Sequence, residues 1–284
     1  MPSRPPGQTS SPLAPAAALI CCALLAACPG TTDVPVSRDS NSGGSEVTIK
    51  GRVVDFESCM TTAGCQGVAE MQVALFYNTA VVSERTAPDG SFTLKGVPNG
   101  VRVLLLVNDT EGGRYLSTLQ AGPITTSGSD VFGVELYALE IEGGLYEAIE
   151  TQLQLDVEDN ALYLGQVLEL NEDRFKAYPG ANVTVSPAAT LRYVKTNPRF
   201  ENSEVDAFFP ASREATGQFG QFVIAGDPAG RDYAVLVESG DSIFNPILAP
   251  MKSGYIAIGL HEASPKPDGG IPPPPDAGSD IPGG

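Results

Sequence analysis

The sequence predicts an all-β protein, and three observations carry that prediction. Short apolar runs with two-residue alternation recur along it, starting at Val47-Thr48-Ile49-Lys50-Gly51-Arg52-Val53-Val54-Asp55. That is the period of a pleated strand with one buried face, not of a helix. Turn-forming residues separate the runs, with 31 glycines and 24 prolines among 284 residues, more than an average chain carries. The same order of signals also occurs twice, which sets the number of folded modules at two.

The first module opens with the Val47 run and continues through Val68 to Val82, where Val73-Ala74-Leu75-Phe76-Tyr77 is rich in residues that pack on pleated surfaces. Asp89-Gly90 then stands between two strand-like runs in Thr86-Ala87-Pro88-Asp89-Gly90-Ser91-Phe92-Thr93-Leu94. Because Gly accepts the positive φ of a tight turn, this predicts a hairpin. Gly96 to Gly100 makes a further turn before Val101 to Val107, which is apolar except for Arg102 and predicts a strand buried on both faces. A last strand from Val131 to Ile141 closes the unit.

Several of these residues together resemble the carboxypeptidase regulatory-like family, a transthyretin-like β-sandwich. They are Gly51-x-Val53, Gly67-Val68 leading to Val73-x-Leu75, Thr86-x-x-Asp89-Gly90-x-Phe92-x-Leu94 and Gly96-Val97-Pro98-x-Gly100. The resemblance covers about residues 47 to 107. It implies a seven-stranded sandwich with an accessory, adhesive or scaffold role, and no activity of its own.

The second copy begins at Leu162-Tyr163-Leu164-Gly165-Gln166-Val167, parallel to the strand around Gly51. Pro179 to Val185 parallels the run ending at Leu75, and Gly220, Phe222, Ile224, Gly226, Pro228 and Gly230 repeat Gly90, Phe92, Leu94, Gly96, Pro98 and Gly100 without a gap. The expected organisation is two tandem transthyretin-like sandwiches, residues 47–142 and 160–262, joined by a linker at 143–159. Within the linker, Leu145-Tyr146 and Ile149 suit a helical turn, whereas Leu153 and Leu155 alternate as in a strand.

Both ends lack the means to build a core. Residues 1–27 carry one charge, Arg4, ahead of the small-residue apolar run Ala16 to Ala27, the pattern of a signal peptide too short to span a bilayer as a helix. The run ends Leu25-Ala26-Ala27-Cys28, which resembles the lipobox of bacterial lipoproteins. That resemblance implies acylation of Cys28 and cleavage before it, hence a palmitate-type membrane anchor. Pro29 stands where many such proteins retained at the inner membrane have Asp, which points to the outer membrane. Residues 28–46 read as a polar, flexible tether, and residues 263–284, with Pro272 to Pro275 among Asp and Gly, as a disordered tail.

Charge narrows the partners. With 34 acidic against 17 basic side chains and a formal net charge of −17, the chain would be repelled by nucleic acid and by anionic lipid surfaces. The predicted membrane contact is therefore through acyl chains on Cys28.

No catalytic residue emerges. The chain has no phosphate-binding loop, dinucleotide fingerprint, nucleophile elbow or zinc-protease helix, and its single histidine, His261, reads as a surface or strand-end residue. The acidic pairs Asp156 with Glu158 and Glu172 with Asp173 fall in linker or loop contexts and lack calcium-loop spacing, so no metal or cofactor is expected. Cys59 and Cys65, six residues apart with no nearby histidine, are expected to form a local disulfide after export.

One stretch concentrates unusual side chains. The insert 186–215 in the second copy holds Arg192, Tyr193, Arg199, Phe200, Phe208, Phe209 and Arg213. It could stack on a sugar or grip a carboxylate, or it could be an extra hairpin whose aromatics cover the sandwich. Two functions follow: a non-catalytic envelope lipoprotein presenting β modules to an envelope protein or matrix, or a carbohydrate-binding surface lipoprotein using the insert on a surface glycan.

Overall fold

Among the described residues, alternation and turns together produce eighteen strands, with one short α-helix and a single 3-10 turn at Ser58–Met60. The computed structural model describes residues 45–60, 64–171, 174–199, 206–240 and 242–265. The signal segment 1–27, Cys28, nearly all of the tether, Phe200 and the tail beyond residue 265 lie outside the described residues.

In the first repeat the strands are β1 (Glu46–Asp55), β2 (Met71–Leu75), β3 (Asn78–Val82), β4 (Ser91–Pro98), β5 (Arg102–Val103), β6 (Leu105–Asp109), β7 (Thr118–Gln120), β8 (Ile124–Thr125) and β9 (Val131–Ala138). The helix α1 (Leu145–Leu153) follows. The second repeat supplies β10 (Ala161–Asn171), β11 (Arg174–Ala177), β12 (Asn182–Ser186), β13 (Thr190–Tyr193), β14 (Gln221–Gly226), β15 (Arg231–Ser239), β16 (Ser242–Phe244), β17 (Ile247–Met251) and β18 (Ile256–Pro265).

The repeat seen in the sequence is a repeat of pairing. Strand β1 runs antiparallel to β4 and parallel to β9, and β10 likewise runs antiparallel to β14 and parallel to β18. The registers match residue for residue: Gly51 faces Phe92 as Gly165 faces Phe222, and Val53 faces Leu136 as Val167 faces His261. A Cβ on Gly51 would lie 2.9 Å from the Phe92 ring, and one on Gly165 would lie 2.1 Å from the Phe222 ring. Each glycine thus lets an aromatic ring lie across the strand, which a side chain there would forbid.

The opposing strands repeat too. β2 pairs β6 with Val73 opposite Val107, and β12 pairs β15 with Val183 opposite Val237. A buried threonine fastens the segment that leads into β2 or β12 in both copies. Thr86 Oγ1 donates to Val68 O at 2.6 Å and accepts from Met71 N at 3.0 Å, while Thr216 Oγ1 donates to Tyr178 O and accepts from Ala181 N, both at 3.0 Å. Between the layers of the first repeat lies a core including Ile49, Val73, Leu94, Leu105, Val107 and Leu136. Tyr163, Phe222, Ile224, Tyr233, Val235 and Met251 fill the second. The protein is all-β, as the alternation predicts.

Two local expectations change. Asp89-Gly90 does turn, with Gly90 at φ +82° and its N–H donating to Ala87 O. It does not close a hairpin, however, because β4 crosses to the other layer to pair with β1; a Cβ on Gly90 would meet Val53 O at 2.2 Å, so the turn is wedged against that strand. The Val101 to Val107 run is not a strand buried on both faces: it is broken into β5 and β6, whose residues alternate between buried and partly exposed.

The repeats are not insulated from each other. Strand β18 pairs in parallel with β7, aligning Ile256 with Thr118 and Ile258 with Gln120, so strands of both copies belong to one thirteen-stranded sheet. The stretch between them is the helix, buried through Leu145, Tyr146, Ala148 and Ile149. These side chains share a core with Val54 and Phe56 of the first repeat and with Leu162, Leu164, Val223, Ile256 and Ile258 of the second. By their contacts the described residues form one compact unit.

Candidate functional site

Two features decide what surface remains for function: the insert of the second repeat and the outer face of the β4–β1–β9 layer in the first. In the insert, β13 pairs antiparallel with the outer edge of β14, with Thr190 opposite Ala225 and Tyr193 opposite Phe222. A bridge between Val194 and Phe208 returns the chain over the same layer.

The insert residues are spent largely on the interior. Tyr193 is buried, its hydroxyl donating to Glu214 O and accepting from Val183 N, both at 3.0 Å. Phe208 is buried in the core beside α1. Phe209 is partly buried, with the Arg213 guanidinium 3.5 Å from its ring centroid. Arg192 donates to Leu191 O. Of the two readings of the insert, the geometry matches the cover: Tyr193 and Phe208 have no face left for a sugar. The carbohydrate alternative therefore loses two of its aromatic residues.

Arg199 reaches the other repeat. Its guanidinium lies 2.8 Å from Asp55 Oδ2 and 3.7 Å from Glu57 Oε2, and it also bonds Glu140, which in turn pairs with Arg114 at 2.8 Å. Asp55 and Glu57 are buried, so this cation offsets charge that would otherwise be stranded away from water. Glu57 also accepts the Leu145 N–H at 2.9 Å, capping the first turn of α1, where a negative charge is favoured. Burial raises the pKa of Glu57, opposed by the Asn197 side chain, the Leu145 N–H and Arg199. A carboxylate grip by Arg199 does exist, then, but on the protein's own side chains.

Beside this junction the Cys59–Cys65 disulfide is present, as expected from the spacing. Glu135 lies close enough to both sulfurs to suggest a metal ligand set, but the sulfurs are bonded to each other and are not available as thiolates.

His261 corrects an expectation. It is 1% exposed, inside β18, with Nε2 2.8 Å from the Tyr163 hydroxyl and Nδ1 without a hydrogen-bond partner among the described residues. Burial holds its pKa down to about 4, so the ring is neutral at pH 7, and burial also raises that of Tyr163. Its register counterpart in the first repeat is Leu136, a core residue.

The other feature is open. The outward-facing residues of β1 and β4 include Thr48, Lys50, Ser91, Thr93 and Lys95, polar throughout, and together with Val82, Glu84 and Arg85 they line a groove of about 830 Å³. Lys50 and Lys95 are exposed, with the Lys50 ammonium 5.5 Å from the centroid of the exposed Phe132 ring. Arg85 is paired with Glu70 and Glu111 at the groove's flank. Sequence reasoning passed over this surface because none of its residues belongs to a catalytic or ligand motif.

No protein-family model matches the chain and no curated protein matches its sequence. Among solved structures it is similar to GBS52, the minor pilin of Streptococcus agalactiae, at 8% identity and a TM-score of 0.25 over 78% of this chain and 98% of that one. It is also similar to the shaft pilin SpaA of Lactobacillus rhamnosus GG, at 9% identity and 0.24 over 78% and 100% of the two chains. The Bacillus anthracis TIE protein gives 11% identity and 0.24 over 77% of this chain and 34% of that one. The likeness is too slight to carry a fold or a role to this chain.

Proposed function

We propose that the protein is a lipid-anchored envelope protein that works by display: two carboxypeptidase regulatory-like repeats, fused into one body, hold a polar sheet face towards a protein partner. The observation that carries this reading is the fate of the chemistry-bearing side chains. Arg199, Asp55, Glu57, Tyr193 and His261 are engaged in or buried within the fold, whereas the groove beside β4 is lined by lysines and threonines without a nucleophile–base pair. Such a surface suits recognition, not turnover.

The anchor in this proposal is Cys28, placed at the outer membrane by the residue that follows it. Replacing Cys28 with Ser should move the protein from the detergent phase to the aqueous phase while its far-ultraviolet spectrum stays unchanged. Continued partition into detergent would overturn the anchor. Hydrolytic turnover of peptide or glycoside substrates by the purified protein would overturn the non-catalytic reading.

A further inference from the structure

The two repeats treat the same strand edge differently. In the second repeat the outer edge of β14 carries β13, so that residues 222–225 are paired on both sides. Its counterpart β4 pairs with β1 on one side and carries no partner strand on the other among the described residues. The groove lies along this edge, lined by Ser91, Phe92, Thr93 and Lys95 of β4. Those four correspond, 130 positions on, to Gln221, Phe222, Val223 and Ala225, of which the last three face β13.

We propose that the β4 edge is a docking site for an extended acidic segment of a partner protein, added antiparallel to β4 as β13 is added to β14. The fold itself shows that this skeleton accepts a strand at that position. An exposed edge presents unpaired backbone groups that a partner's backbone satisfies, here beyond Ser91, whose carbonyl already accepts the Ala87 N–H, and alternate side chains then supply specificity. The specificity here is cationic. Lys50 and Lys95 face the groove, whose one lining carboxylate is Glu84, in a chain whose net charge is −17; Arg85 at the flank is already held by Glu70 and Glu111. Val82, 44% exposed, offers an apolar contact between the charged positions. In the covered copy the residues equivalent to Lys50 and Lys95 are Leu164 and Ala225, which pack inward; the charges appear only where the edge is open.

This inference rests on the reading of the protein as a partner-binding display module. The test uses the intact protein and a fluorescent peptide of eight residues, the length of β4, alternating Glu with Thr. Binding should weaken about tenfold or more in the Lys50→Glu/Lys95→Glu variant, and should fall when ionic strength is raised from about 0.1 M to about 0.5 M. Both lysines are exposed, so an unchanged melting curve will show that the variant folds. The same peptide N-methylated at alternate residues should not bind, since it cannot pair with an edge. No binding by the Glu–Thr peptide, equal binding by its Lys–Thr counterpart, or equal binding by the charge-reversed variant would overturn the proposal. So would undiminished binding of the N-methylated peptide, or a dimer that the lysine substitutions dissolve, because the occupant would then be a second copy. Anchoring through Cys28 and the absence of turnover do not depend on the two lysines, so a failed peptide assay leaves the display reading standing.

Discussion

The two repeats share a skeleton and differ in what lies over it. In each, a central strand carries a glycine under a phenylalanine, a threonine fastens the entry to the opposing strand, and a parallel partner closes the sheet. Over the second copy's outer face lie α1, the insert and Phe208; over the first copy's lie Lys50, Thr93 and Lys95 facing solvent. The skeleton is thus indifferent to its cover, and the cover decides whether a face becomes an interior joint or an exterior surface.

The shared skeleton predicts equal damage from equivalent lesions. Phe92→Ala and Phe222→Ala should each cost about 3–5 kcal/mol, the usual loss for a buried phenylalanine. Because β7–β18 and the helix core join the copies, both variants should lower a single thermal transition, read by calorimetry on the intact protein. Two transitions, each responding to only one substitution, would show the halves to be independent despite their common sheet.

At the joint, Arg199→Met removes the cation from Asp55, Glu57 and Glu140. Leaving buried carboxylates without their partner should cost about 3 kcal/mol at neutral pH, measured by urea unfolding. A loss within error would mean that the carboxylates find solvent, and that the insert covers the joint without fastening it.

His261 offers a difference in pH behaviour, since its counterpart Leu136 cannot titrate. Its folded pKa of about 4 lies below the ordinary 6.5, so the fold binds the proton less readily than the unfolded chain does. The stability it permits is complete above about pH 6.5 and is lost as pH falls towards 4, by at most about 3 kcal/mol. Replacing His261 with Leu and Tyr163 with Phe, so that no buried hydroxyl is orphaned, should flatten that limb relative to the unsubstituted protein. An identical slope in both would refute the assignment.

The smallest effect belongs to the open face. Phe132 is 65% exposed, and Phe132→Ala should change stability by no more than about 0.5 kcal/mol, against about 3–5 kcal/mol for Phe208→Ala beneath the helix. Comparable losses would mean that the first repeat's face is covered as well.

The skeleton was legible because alternation, the Asp-Gly turn and the Gly–Phe spacing are local signals that sterics make obligatory. The disulfide was legible for the same reason. The joint was not. Arg199 and Asp55 are 144 positions apart, β7 is three residues long, and nothing in either segment announces its partner. The insert's basic and aromatic content left a ligand site and a covering hairpin both open, because recognising a carboxylate or a ring calls for the same side chains whether the target is foreign or internal. His261 was misplaced because a polar residue near the end of an apolar run resembles a strand end, whereas β18 continues to Pro265.

The position of β18 has a consequence in time as well as in space. It pairs with β10, β16 and β7, and among the described residues it is the last strand in chain order. A polypeptide emerging from its N-terminus can assemble β1, β4 and β9 early, but the seam between the copies waits for Ile256 to Ile258 to arrive. Long-range parallel pairing of this kind is slow to close. Until β18 is in place the two repeats lack this seam, and its insertion is the step that joins them into one sheet.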